Sequence, residues 1–146
     1  MSKVTLTTEL PISAETAAGL ARKPQLMRFV LGPYLNTRGL EVPERIEVGT
    51  QGSARLWWFG VIPTWTHHLL IEKLDDTEIA TREHGGPVHT WNHRLTFVPI
   101  GENQCRYTDE IETDDGLTGF VTRLFIRAMF KHRHRRWRVL TEILEP

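Results

Sequence analysis

The 146-residue chain balances 18 Lys and Arg against 18 Asp and Glu, which argues against bulk electrostatic capture of nucleic acid or acidic lipid. Its length fits one domain over residues 1–146, enough to bury roughly 68–70% of the unfolded surface without staples. One cysteine, Cys105, excludes an internal disulfide, and a start without a signal-like apolar run, with no stretch near ~20 apolar residues, predicts a cytoplasmic protein with no transmembrane segment.

In chain order, Val4 to Leu10 alternates as a first strand. Ser13 can cap a short helix running to about Ala21. Pro24 opens a second short helix, Gln25 to Val30, which Gly32-Pro33 ends. Strands are then predicted near 44–50, 54–62, 65–74, 77–84, 88–99 and 104–113. The breaks are Gln51-Gly52-Ser53, Pro63, Asp75-Asp76, Gly85-Gly86-Pro87 and Gly101-Glu102-Asn103. Such short connections demand an antiparallel meander. One long helix follows, from Leu117 to about Leu144. The fold class is α+β: a curved antiparallel sheet of six or seven strands wrapped around a long C-terminal helix, with two short helices after the first strand, the helix-grip plan.

The turns set the register and the register sets the faces. The Gly101-Glu102-Asn103 turn pairs Phe97 with Cys105, Leu95 with Tyr107, His93 with Asp109 and Trp91 with Ile111. Asp75-Asp76 pairs Ile71 with Thr81 and Leu69 with Glu83. Gly85-Gly86-Pro87 pairs Glu83 with His89, Thr81 with Trp91 and Ile79 with His93. Odd positions share one face throughout. That face carries Trp65, Leu69, Ile71, Ile79, Trp91, Leu95, Phe97, Tyr107 and Ile111, with His67, Thr81, Glu83, His89, His93 and Asp109 among them. An unpaired buried polar group costs ~1–3 kcal/mol, so these groups either pair with one another or line a water- or ligand-filled pocket.

The runs Trp65-Thr66-His67, Gly86-Pro87-Val88, Trp91-Asn92-His93, Thr108-Asp109-Glu110 and Phe130-Lys131-His132-Arg133-His134-Arg135-Arg136-Trp137 resemble the START/Bet v1-like superfamily. The likeness is greatest to its SRPBCC (polyketide cyclase/dehydrase-like) branch. The resemblance implies a helix-grip fold with a hydrophobic cavity between sheet and long helix. It implies binding of lipids, sterols, polyketides or other apolar molecules, and in some members cyclisation, aromatisation or dehydration.

His93 opposite Asp109 is the candidate catalytic pair, since a carboxylate beside an imidazole can orient it as general acid or base. The pair can equally be a satisfied cross-strand contact that holds the register. His67, Glu83 and His89 form a second cluster. His89 and His93 lie ~13 Å apart along one strand, too far for shared metal bonds of ~2 Å. A His67/Glu83/His89 site stays geometrically possible but has no recognised signature, so no metal is expected, and no cofactor is expected either. Trp57 and Trp58 are adjacent, and alternation leaves open which faces inward.

On the long helix, Ile126, Phe130, Trp137, Leu140 and Leu144 form the stripe expected against the sheet. Arg133 falls within it, reaching an inner carboxylate such as Glu83 or Asp109 or snorkelling to water. Leu117, Val121, Leu124 and Ala128 lie on another face, as a lid, a homodimer contact or a surface covered by the short helices. The basic run from Lys131 to Arg138 reads as a solvated helix end.

The expected function is binding of a hydrophobic or amphipathic small molecule (lipid, polyketide or aromatic metabolite), as carrier or sensor. Its lining would be Trp65, His67, Leu69, Thr81, Glu83, His89, Trp91, Leu95, Tyr107, Ile126, Phe130 and Arg133. The alternatives are a cyclase or dehydratase using His93 and Asp109, and a protein or membrane interaction module acting through the basic helix.

Overall fold

A computed structural model describes residues 2–41, 46–86, 88–114 and 119–145. The elements are β1 (Ser2–Leu10), α1 (Ala14–Ala21), α2 (Pro24–Leu31), β2 (Leu35–Glu41), β3 (Gln51–Trp58), β4 (Ile62–Leu74), β5 (Glu78–Gly85), β6 (Val88–Gly101), β7 (Gln104–Thr113) and α3 (Gly119–Ile143). The strands form one curved antiparallel sheet in the order β1-β7-β6-β5-β4-β3-β2. The 25 residues of α3, about 37 Å of helix, lie along its concave face. This is the helix-grip architecture.

Local chemistry sets the short helices. Ser13 Oγ accepts from the Thr16 N–H at 3.1 Å, capping α1. Pro24 occupies the first turn of α2, where its missing N–H costs nothing. Between α2 and β4 the sequence pattern misleads. No strand covers 46–50, which form a turn, and residues 42–45 lie outside the described set. The strand is β2, whose polar Asn36-Thr37-Arg38 hides it from alternation rules and whose pairing with β3 supplies the missing order. Gln51-Gly52-Ser53, expected as a turn, starts β3. The hairpin turns instead at Phe59 and Gly60, both left-handed with φ of 54° and 74°. Pro63 falls at the start of β4, where a strand tolerates it.

Two hairpins pair in registers other than those expected from their turns. Phe97 pairs with Tyr107 and His93 with Ile111, while Thr81 pairs with His93 and Glu83 with Trp91. Both registers differ from expectation by two residues, and each ladder carries a register shift beside its turn, between Pro99 and Gly101 and between Glu83 and Gly85. A two-residue slip preserves the side-chain face, so the odd positions still point inward. The Asp75-Asp76 hairpin pairs Ile71 with Thr81 and Leu69 with Glu83 as read from the sequence.

The helix stripe that is buried comprises Ile126, Phe130, His134, Trp137 and Thr141. Leu144 lies past the end of α3 and is exposed, while His134 and Thr141 take the inward positions. Val121, Leu124 and Ala128 are exposed, and Leu117 lies outside the described residues. Two apolar clusters make the core. One joins α1 and α2 to Leu95, Phe97, Tyr107 and Trp137. The other joins Val4, Trp91, Ile111, Ile126 and Phe130.

Candidate ligand-binding site

Between these clusters runs a polar belt. On β6 the inward residues read Trp91, His93, Leu95; on β7 they read Ile111, Asp109, Tyr107; and α3 supplies Arg133 and His134 between Phe130 and Trp137. Each element thus places its polar group at the same height, flanked by apolar residues on both sides. The belt begins on β5 with Thr81 and Glu83 and on β4 with His67.

Its bonds form a continuous chain. Trp65 Nε1 donates to His67 Nδ1 at 3.3 Å, and His67 Nε2 donates to Glu83 Oε1 at 2.8 Å. An indole N–H only donates, so His67 carries its proton on Nε2. Thr81 Oγ1 donates to Glu83 Oε2 at 2.5 Å. His93 is held at both ring nitrogens: Nδ1 stands 3.3 Å from Glu83 Oε2 and Nε2 2.6 Å from Asp109 Oδ1. His93 and Asp109 are diagonal across the β6–β7 ladder rather than opposite, a separation that long side chains span. The Tyr107 hydroxyl donates to Asp109 Oδ2, as does His134 Nε2 at 2.8 Å. Arg133 Nε lies 3.5 Å from the same oxygen and donates to the Tyr107 hydroxyl at 3.3 Å.

The electrostatics follow. Burial works against charge on Glu83, Asp109 and His93, and their partners reverse it. Hydrogen bonds from His67 and His93 hold the Glu83 carboxyl well below the usual carboxylate range. Arg133, His93 and His134 do the same for Asp109. The two carboxylates in turn raise His93 above the ordinary 6.5. The belt therefore favours His93 as an imidazolium, held between two carboxylates with Arg133 alongside. Burial pushes the Tyr107 hydroxyl well above its usual range, so it stays a phenol.

Two adjoining chambers open against the belt. The first, between α2, β3, β4 and α3, offers about 70 Å³ to the centre of a water-sized sphere. Its walls are apolar, including Leu35, Leu56, Trp91 and Phe130. The second, under the α1–α2 connection and against β4 to β6, offers about 120 Å³. Met27, Leu69, Glu83, His93 and Arg133 line both. Trp65 stands at the wall of the first, with its ring packed over the β5–β6 turn. A Cβ on Gly86 would sit 2.6 Å from that ring.

Of the residues singled out from the sequence, Trp65, His67, Leu69, Glu83, Trp91, Phe130, Arg133 and His93 line the first chamber. Thr81 and Leu95 line the second. Asp109, Tyr107 and Ile126 are fully buried and stand behind the walls. His89 is in β6, and its side chain lies outside the described set. Met27, Leu31, Leu35, Leu56 and Met129 also form the walls; they come from α2, β2, β3 and the flank of α3, whose docking no local pattern reports. His134 was legible, because it stands four residues after Phe130 and three before Trp137 on the buried stripe.

The basic run is divided rather than solvated as a block. His132 Nε2 donates to the Gly32 carbonyl at 2.7 Å. Arg136 lies over the Phe29 ring at 4.0 Å and donates to the Phe29 carbonyl. Arg133 and His134 join the belt. Trp58 contacts Phe125 of α3 edge-on, which places Trp58 on the helix side of the sheet. Among the described residues no group of three or more His, Cys, Asp or Glu could hold a metal ion, and no helix is long and apolar enough to cross a membrane.

Residues 25–140 match a family described as a domain of unknown function, DUF8410. No curated protein matches the chain. Among solved structures, a protein of Chromobacterium violaceum superposes with a TM-score of 0.81 at 12% identity, covering 100% of this chain and 99% of that one. A START superfamily protein of Mycobacterium smegmatis gives 0.74 at 17%, covering 97% and 98%. Norcoclaurine synthase of Thalictrum flavum, in complex with dopamine and hydroxybenzaldehyde, gives 0.67 at 15%, covering 99% and 87%. The chain belongs to the DUF8410 family and has the START/Bet v1-like helix-grip fold.

Proposed function

We propose that the domain binds a compact hydrophobic or amphipathic small molecule between sheet and α3, as a carrier or sensor. The observation that carries this reading is the pair of apolar chambers converging on Glu83, His93 and Arg133. An apolar cavity of ~150 Å³ holds a benzene molecule, so the adjoining chambers of about 70 and 120 Å³, occupied together, suit a compact ring compound better than a long acyl chain. Norcoclaurine synthase, which shares the fold, is seen with two single-ring compounds, and this supports the same size class here.

An acid–base enzyme of the cyclase or dehydratase kind is the second reading, favoured by Glu83 and His93 facing one cavity. Binding is the better supported of the two. Both His93 nitrogens and both Glu83 oxygens already hold partners, and Asp109 has no exposed surface. A general acid or base needs a proton position free to meet substrate.

The test uses 2-naphthylmethanol, followed by quenching of tryptophan fluorescence. Saturable binding to the native protein is expected, and loss of it in Ala54→Phe, which fills the first chamber from β3 beside His67. Equal binding by the filled variant would sink the reading.

A further inference from the structure

The hydrogen-bond inventory of the chamber walls is one-sided. Apart from the hydroxyls of Ser53, Thr50 and Thr81, every side-chain acceptor there already holds a donor: Glu83 Oε1 has His67, Glu83 Oε2 has Thr81 and His93, and His67 Nδ1 has Trp65. The N–H groups of His67, His93 and Trp65 are likewise committed. The groups left over are donors. Arg133 uses only its Nε, toward Tyr107 and Asp109, and among the described residues its two terminal NH₂ groups make no hydrogen bond. The Trp91 indole N–H, buried in the wall of the first chamber, has no partner among the described residues either. A ligand that satisfies this wall must therefore bring oxygen acceptors.

Charge narrows the choice. A guanidinium presents its free edge as a fork, and a carboxylate is the oxygen group that meets a fork with two parallel bonds. Within the belt, His93 as imidazolium and Arg133 offset Glu83 and Asp109. The Glu83 charge is further shared among three donors. Lys23, at the edge of the second chamber, adds positive potential near the cavity and favours entry of an anion, while Arg22 beside it is paired with Asp76. An ammonium ligand would meet the Arg133 charge and find only hydroxyls and carboxylate oxygens that already hold donors.

Resting on the cavity reading above, we infer that the ligand is a compact ring compound bearing a carboxylate, which Arg133 holds through its terminal nitrogens while the ring packs against Trp91, Phe130 and Leu69. The ring supplies apolar burial and the carboxylate supplies orientation, the division of labour usual in such pockets.

The test compares 2-naphthoate, 2-naphthylmethanol and 2-naphthylmethylammonium on the full chain at pH 7 by tryptophan quenching, with calorimetry as a check. The naphthoate is expected to bind about tenfold or more tightly than the alcohol, and the ammonium compound no better than the alcohol. Arg133→Lys keeps the charge and loses the fork, and Trp91→Phe keeps the ring and loses the donor; each should shrink the ratio of naphthoate affinity to alcohol affinity, whatever it does to the alcohol alone. If the alcohol or ammonium compound binds as well as naphthoate, the carboxylate assignment falls and the cavity reading stands. If the preference survives both substitutions, the assignment to Arg133 and Trp91 falls. If the native protein binds none of the three, both readings fall. Should Arg133→Lys not fold, the native-protein series and Trp91→Phe still decide.

Discussion

His93 stands between Glu83 and Asp109 with a carboxylate at each ring nitrogen, and removing either end of that contact strands a buried charge. Breaking a buried pair from one side costs about 3–5 kcal/mol. Asp109→Ala should therefore lower stability by that amount in urea unfolding, since it abandons Tyr107, Arg133 and two histidines at once. The outer-face pair of Arg94 and Glu78 is half-exposed on the arginine side, and Arg94→Ala should cost far less, since solvent screens such a pair. Equal losses for the two variants would contradict the belt described here. Cys105 offers a simpler check. Fully buried beneath the first apolar cluster, its thiol is pushed up to about 11, so it should stay unreactive to Ellman's reagent until the chain unfolds.

At the scale of elements, the cavity depends on α2, which contributes Met27 and Leu31 to its walls. That short helix is clamped to α3 by Arg136, through both ring stacking on Phe29 and the bond to its carbonyl, and by His132 on Gly32. Arg136→Ala should cost about 1–2 kcal/mol, speed hydrogen exchange over residues 24–31, and weaken 2-naphthylmethanol binding although Arg136 lines neither chamber. Unchanged exchange would show that α2 is held otherwise. The β5–β6 turn acts on the opposite wall. Gly86 has φ of 67° and its missing Cβ leaves room for the Trp65 ring, so Gly86→Ala should both strain the turn and shift the tryptophan emission.

Across the whole molecule the belt sets the pH dependence of stability. Asp109 and Glu83 are depressed in the fold, so their contribution is complete above the ordinary carboxylate range near 3.8–4.5 and is lost as pH falls through their folded values. His93 is raised, so its contribution is complete below 6.5 and is lost as pH climbs through its folded value. Stability should thus be greatest between about pH 4.5 and 6.5 and decline on both sides. His93→Gln should flatten the alkaline decline specifically; urea midpoints measured from pH 4 to 9 decide this.

How much of this was legible follows from the range of each interaction. The element order, the capping of α1 by Ser13, the inward set of odd residues and the belt's membership in Glu83, His93 and Asp109 came from local rules. A side chain's face depends only on parity along a strand, and the two hairpins that slipped by two residues kept it. His134 also lay within reach, since the stripe of α3 passes through it. By contrast, β2 carries too little apolar alternation to announce itself and exists through its pairing with β3. The walls drawn from α2, β3 and the flank of α3 depend on how layers dock, and so does the separation of Asp109, sealed behind the wall, from Glu83 and His93, which face the cavity. The sequence by itself determined which polar residues turn inward, because strand periodicity is a property of the chain. Only the tertiary structure decided which of them are spent on one another and which, like Arg133, keep donors free, because hydrogen-bond capacity is settled by contacts between residues far apart in the sequence.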